Sequence, residues 1–186
     1  MSTLRIISGT AKGMRIQTVP GDSTRPITDR AKESLFDIIS TDLIDSTWLD
    51  CFGGTGSVSI EALSRGAKSS TIIDLHPLAI STINKNLEHT NLSGKARVIK
   101  SDTFTFLKKS TPNPYDYIFI APPQYKDLWI QTLLLIDNNP ALLSNDGWII
   151  VQIHPVEYKD LEFVNFIEFD RRKYGSTLFV FYEKND

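Results

Sequence analysis

Short alternations of apolar and polar residues open the chain. Leu4-Arg5-Ile6-Ile7-Ser8-Gly9 and Met14-Arg15-Ile16-Gln17, separated by glycines, predict a β-hairpin. Val19 to Thr24 reads as a polar loop, and Arg25-Pro26-Ile27 is extended before its proline. Thr28 then caps a helix whose apolar face is Ala31, Leu35, Phe36, Ile38 and Ile39. From Thr47 the pattern alternates between strand and helix. Strands are predicted at 47–52, 70–75, 96–100, 115–121 and 147–153, and helices at 57–65, 77–90, 102–109 and 125–137. Leu92-Ser93-Gly94 stops one helix, and Asn145-Asp146-Gly147 makes a turn before a strand. Two late strands, near 163–170 and 177–183, have no helix between them, with a turn around Arg171 to Ser176.

Alternating βα units that end in a strand pair imply an α/β fold: a mostly parallel, seven-stranded sheet with an antiparallel C-terminal edge hairpin. This is the Rossmann-like arrangement of class I methyltransferases. The expected organisation is a hairpin-and-helix extension over residues 1–40 and a main domain over 41–186.

The composition is that of a soluble globular protein: 186 residues, 41% hydrophobic and 23% charged. No apolar run reaches the length of a membrane span and no signal-peptide pattern is seen, so a cytoplasmic protein is expected. A single cysteine, Cys51, excludes an internal disulfide and a thiolate metal site, and it reads as a small core residue. His76, His89 and His154 lack metal-ligand spacing, so no metal is expected. Net charge is −2, yet residues 1–36 hold six basic residues (Arg5, Lys12, Arg15, Arg25, Arg30, Lys32) against three acids. That basic head suits a phosphate backbone. Arg171-Arg172-Lys173 is a second candidate phosphate contact.

Ligands of open α/β sheets bind at the carboxyl ends of the strands. There the first strand of the main domain runs into Asp50-Cys51-Phe52-Gly53-Gly54-Thr55-Gly56-Ser57. The three glycines allow a tight turn and close backbone approach, and the helix that follows presents free N–H groups. Asp50 would repel a pyrophosphate but suits a ligand carrying a cationic amine, such as S-adenosyl-L-methionine (AdoMet). The next strand ends at Asp74, a candidate acceptor for ribose hydroxyls, and the third leads to Asp102, a candidate acceptor for the adenine amine or a helix N-cap. Phe52, Leu75 and Thr103 flank these acids as further candidate cofactor contacts. The string lacks the G-x-G-x-x-G of dinucleotide sites and the Gly-Lys-Ser/Thr of a P-loop. The fourth strand ends in Ala121-Pro122-Pro123-Gln124-Tyr125, a rigid turn beside the expected methyl position.

With these residues in hand, the chain resembles the RsmD family, the 16S ribosomal RNA guanine-N2 methyltransferases, along most of its length. The resemblance rests on Arg5 to Gly9 with Lys12-Gly13, on Thr24-Arg25-Pro26-Ile27-Thr28-Asp29-Arg30-Ala31-Lys32-Glu33-Ser34-Leu35-Phe36, and on Asp50 to Gly56 followed by Glu61 to Ala67. Tyr174-Gly175-Ser176-Thr177 resembles the family's closing hairpin. The resemblance implies an AdoMet-dependent enzyme acting on a guanine of 16S rRNA or the small ribosomal subunit, with Arg5, Lys12, Arg15, Arg25 and Arg30 along the RNA path. A monomer is expected.

One departure stands out. The family's Asp/Asn-Pro-Pro-Tyr/Phe turn is here Ala121-Pro122-Pro123-Gln124. Gln124 is then a candidate acceptor, and Tyr125 or Trp129 a candidate base-stacking ring. Two other readings stay open: an N-methyltransferase acting on another amine such as adenine N6, and an AdoMet- and RNA-binding protein that has lost catalysis.

Overall fold

The computed structural model describes residues 4–21, 27–109 and 113–185. The order of elements matches the pattern in the sequence. Strands β1 (Leu4–Arg5) and β2 (Arg15–Ile16) pair antiparallel, and helix α1 (Asp29–Ile39) follows. Then come β3 (Thr47–Asp50), α2 (Ser57–Ser64), β4 (Ser69–Asp74), α3 (Pro77–His89), β5 (Ala96–Lys100) and α4 (Thr103–Leu107). The chain ends with β6 (Tyr115–Ile120), α5 (Leu128–Asp137), β7 (Leu143–Ile153), β8 (Phe166–Tyr174) and β9 (Thr177–Lys184). The main sheet has the order β5-β4-β3-β6-β7-β9-β8. Its first five strands are parallel, and β9 and β8 close it antiparallel.

Period-2 alternation divides the core into two apolar layers. On one face Trp48 packs with Phe36 of α1 and with Tyr117 and Phe119 of β6, with ring centroids 5.6–5.9 Å apart. The same layer holds Leu4, Ile6, Ala11 and Ile16 of the head, so the hairpin shares the core of the sheet. On the other face Leu49, Ile118 and Ile149 pack against Trp129, Leu133 and Ile136 of α5.

Helix α1 starts as its sequence foretold, with the Thr28 hydroxyl accepting the Ala31 N–H at 3.2 Å. Pro77 begins α3, and His76 caps it by accepting the Leu78 N–H. The head is bonded firmly to α2 and α3. Glu61 accepts the N–H groups of Ile7 and Ser8 at 2.8 and 2.9 Å. Gly9 crosses the end of α2 so closely that a Cβ would sit 1.8 Å from the Ser64 carbonyl oxygen. Its φ of +81° is equally one that favours glycine. Asn86 of α3 bridges the head and the glycine turn, accepting the Gln17 N–H and donating to the carbonyls of Gln17 and Thr55.

Three expectations are corrected. Asn145-Asp146-Gly147 is no turn before a strand, because β7 already runs from Leu143. The register slips there, with Tyr115 facing Leu143 and Tyr117 facing Trp148, so the polar residues bulge inside the strand. The closing turn lies at Gly175-Ser176, and Arg171, Arg172 and Lys173 all belong to β8. There Arg171 pairs with Glu168 and Arg172 with Asp170. Helix α5 starts at Leu128 and not at Tyr125, since Tyr125 and Asp127 hold left-handed φ values of +61° and +50°. No helix among the described residues is long and apolar enough to cross a membrane.

Candidate active site

Strands β3 and β6 are neighbours, and the Cys51 N–H donates to the Phe119 carbonyl at 3.0 Å just beyond the end of β3. The glycine turn and the Pro-Pro turn therefore leave the sheet side by side. On the far side of β3, the end of β4 delivers Asp74 to the glycine turn. Asp74 accepts the Gly54 N–H at 2.9 Å and the His76 N–H at 2.8 Å. Gly53 is wedged against β4, where a Cβ would lie 2.5 Å from Ile72 Cγ2. Gly54, at φ +54°, has nothing within 4 Å of its Cβ position. That combination gives a bare backbone facing open space, as a close-lying ligand requires.

Asp50 lies deeper than a strand-end acid facing solvent. It is only 2% exposed, and it accepts the Ser59 hydroxyl at 2.8 Å and the Phe52 N–H at 3.2 Å. Burial pushes its carboxyl up to about 7, opposed by those two hydrogen bonds and reinforced by the nearby Asp74. No Lys, Arg or His forms an ion pair with Asp50 or Asp74 among the described residues. A buried carboxylate without a counter-charge is stabilised by any cation brought beside it. The cradle thus fits a ligand with a positive centre. AdoMet answers that description.

The other proposed cofactor contacts divide. Leu75 is exposed next to Asp74, where an apolar side chain can cover an aromatic base. Phe52 is half-buried against the α5-side layer. Asp102 is the N-cap of α4, with its carboxylate accepting both the N–H and the hydroxyl of Thr105. Thr103 is buried and donates its hydroxyl to the Cys51 carbonyl, which braces the glycine turn from below.

At the Pro-Pro turn, Ala121 and Pro122 are half-buried while Pro123, Gln124 and Tyr125 are exposed. Trp129 is fully buried in the core behind α5 and offers no face to a substrate. Of the two rings considered from sequence, only Tyr125 reaches the surface, with 67% of it exposed.

The basic head is thinner than its composition suggested. Arg5 is tied to Asp29 at 2.7 Å. Lys32 is fully buried, donating to the Arg5 carbonyl at 2.6 Å and to Ser57 at 3.1 Å, with Glu61 at 3.5 Å. Burial lowers its ammonium pKa, and the charge of Glu61 opposes that shift. Lys12, Arg15 and Arg30 are exposed, whereas Arg25 lies outside the described residues.

Sequence reasoning missed two residues. Glu61 joins α1, α2 and the head, and its signal was an acid inside the small and apolar run Val58-Ser59-Ile60-Glu61-Ala62-Leu63. Glu157, just after β7, accepts N–H groups from both Tyr125 and His154, and nothing local in the sequence announced it.

The family model described as "Conserved hypothetical protein 95" matches residues 4–183. The chain belongs to this family, the RsmD family. It is 35% identical over 184 residues to YlbH of Bacillus subtilis, covering 97% of this chain and 99% of YlbH. It is also 35% identical over 150 residues to the ribosomal RNA small subunit methyltransferase D of Escherichia coli, covering 80% of this chain and 74% of that one. Among solved structures, yhhF of Escherichia coli superposes with a TM-score of 0.85 at 29% identity, covering 98% of both chains. The likeness of fold extends to SMU.776, a protein crystallised with SAH, at a TM-score of 0.66 and 19% identity over 86% of this chain and 50% of that one.

Proposed function

We propose that this chain transfers a methyl group from AdoMet to the exocyclic N2 amine of a guanine in small-subunit ribosomal RNA. Its relatives are named as methyltransferases of that RNA. The observation that carries the reading is the adjacency of two turns: the bare glycine turn over Asp50 and Asp74, and the Pro-Pro turn after β6, joined through Cys51 and Phe119.

AdoMet supplies, when bound, a methyl group on a sulfonium sulfur. Asp50 offers carboxylate charge to the positive end of the cofactor, and Asp74 offers oxygen acceptors to the ribose while it holds Gly54 in place. Leu75, exposed beside Asp74, would cover the adenine. On the substrate side, the guanine amine is a poor nucleophile because its lone pair is delocalised into the ring. Acceptors at the Pro-Pro turn bind the amine hydrogens and localise that pair toward the methyl group. The Ala121 backbone carbonyl is one acceptor and the Gln124 side chain another. A target base is brought out of its stack to reach this turn, and Tyr125 is the exposed ring on which it stacks. As the new N–C bond forms, the S–CH3 bond would break and leave a neutral thioether, and the cationic amine would then give its proton to water, so no strong base is needed.

Residues 1–40 form the RNA-docking extension of the methyltransferase domain 41–186. Lys12, Arg15 and Arg30 meet phosphates, with Arg5 shared between RNA and Asp29. The protein works as a cytoplasmic monomer on 16S rRNA or the small subunit. The lack of a side-chain acceptor at Ala121 favours one competitor, a protein that binds AdoMet and RNA without turnover. Incubation with labelled AdoMet and small subunits lacking the modification decides between them, with label in N2-methylguanine supporting the proposal.

A further inference from the structure

Strands β6 and β7 run parallel, so the Pro-Pro turn and the segment His154–Glu157 emerge from the same edge of the sheet. Glu157 joins them. Its Oε1 accepts the Tyr125 N–H at 2.6 Å and its Oε2 accepts the His154 N–H at 3.1 Å. The carboxylate is buried and both oxygens are committed to backbone of the two segments. The His154 ring is fixed as well, because its Nδ1 accepts the Val156 N–H at 3.3 Å. Its centroid lies 6.1 Å from that of Tyr125, with the planes tilted by 41°. A second strap lies two residues on, where both oxygens of Asp127 receive the Lys159 ammonium at 2.9 Å.

The straps meet two of the five non-glycine residues that hold a positive φ among the described residues. Tyr125 and Asp127 are both left-handed, and for a bulky aromatic residue that conformation is costly. Strain of this kind persists only where the surroundings over-determine it. Here a buried carboxylate does so, and the outcome is an aromatic ring left standing in solvent beside the Pro-Pro turn.

We propose that Glu157 is a positioning residue: it holds Tyr125 in the left-handed conformation so that its ring, backed by His154, forms the platform for the substrate base. This rests on the reading of the turn as the site of base methylation. It assigns the aromatic role, absent at Gln124, to a ring one residue further along whose orientation is set from β7.

Two measurements test it. In steady-state kinetics on small-subunit RNA, Glu157→Gln and Tyr125→Ala are each expected to lower kcat/KM by about ten- to a hundred-fold, the scale of one lost base–aromatic stack. The AdoMet Kd should not change, and Tyr125→Phe should restore activity. Tyr125→Gly should retain or raise the melting temperature while losing the same activity, since glycine adopts a positive φ freely. A merely structural Tyr125 would give the reverse. Wild-type kcat/KM in both Glu157→Gln and Tyr125→Ala would overturn the proposal. The second measurement needs no turnover. With fluorotyrosine incorporated and the Tyr125 resonance assigned by its loss in Tyr125→Phe, a short guanine-containing single-stranded RNA should shift that signal in the wild type and not in Glu157→Gln. A signal that ignores RNA in the wild type overturns the platform even if methyl transfer is observed. A shift without methyl transfer supports the platform and locates the failure in the assigned reaction.

Discussion

Lys32 and Glu61 form an ion pair of 3.5 Å with both side chains wholly excluded from solvent. The same carboxylate accepts the N–H groups of Ile7 and Ser8 and the guanidinium of Arg65. One residue of α2 therefore ties α1 and the Ile7-Ser8 segment of the head to the helix that follows the glycine turn.

Breaking that node should be costly. Glu61→Gln leaves a buried ammonium without its counter-charge and should destabilise the protein by about 3–5 kcal/mol. The double variant Lys32→Met with Glu61→Gln should recover part of the loss, because it removes the uncompensated charge. Urea denaturation of the two variants checks both the size and the order.

Asp50 predicts a pH dependence. Its folded value of about 7 stands well above the ordinary carboxylate value of 3.8, so the folded protein favours the protonated acid. The stability it contributes is full below about pH 4 and is lost as pH rises to about 7. Binding a cationic ligand demands the opposite form. AdoMet affinity should fall as pH drops below about 7, by up to about tenfold per unit, and level off above it. Asp50→Asn should flatten that profile, weaken AdoMet binding and raise the melting temperature of the ligand-free protein at pH 8. Titration calorimetry between pH 5.5 and 8.5 is the check, and a flat wild-type profile would remove Asp50 from the cofactor site.

Ala121 sits two residues beyond Phe119, the register partner of Asp50, on the same face of the sheet. Restoring an acid there adds an acceptor for the substrate amine. By analogy with the loss of one oxyanion-hole donor, about 2–4 kcal/mol of transition-state stabilisation is at stake. Ala121→Asp should therefore raise kcat by at least about tenfold, at some expense in stability from a second acid near Asp50. An unchanged rate would show that the Ala121 carbonyl and Gln124 already suffice.

The exposed head cations should act on RNA alone. Lys12→Glu with Arg15→Glu should raise KM for small-subunit RNA and make the logarithmic salt dependence of binding shallower by about 2. AdoMet affinity should be unchanged. An equal effect on both ligands would mean that the head supports the fold and does not meet RNA.

The strand and helix order was legible because buried parallel strands and amphipathic helices write their periodicity into the chain. The glycine turn and Asp74 were legible because one short segment carries the chemistry. What stayed hidden depends on contacts between distant residues. Lys32 counted as a surface cation until Glu61, twenty-nine positions away, took it into the core. Asn145-Asp146-Gly147 has turn composition, yet neighbouring strands absorb it as a bulge. Trp129 and Tyr125 looked equivalent as aromatic candidates until the packing of α5 on the sheet buried one ring, while the loop before α5 leaves the other exposed.

Methyl transfer itself is the most direct test of the account. Purified protein, labelled AdoMet and small ribosomal subunits from a strain lacking the modification should yield label in N2-methylguanine of the small-subunit RNA. Label on another base would contradict the assignment of the guanine amine. Cofactor binding without any label would contradict catalysis at the Ala121 turn.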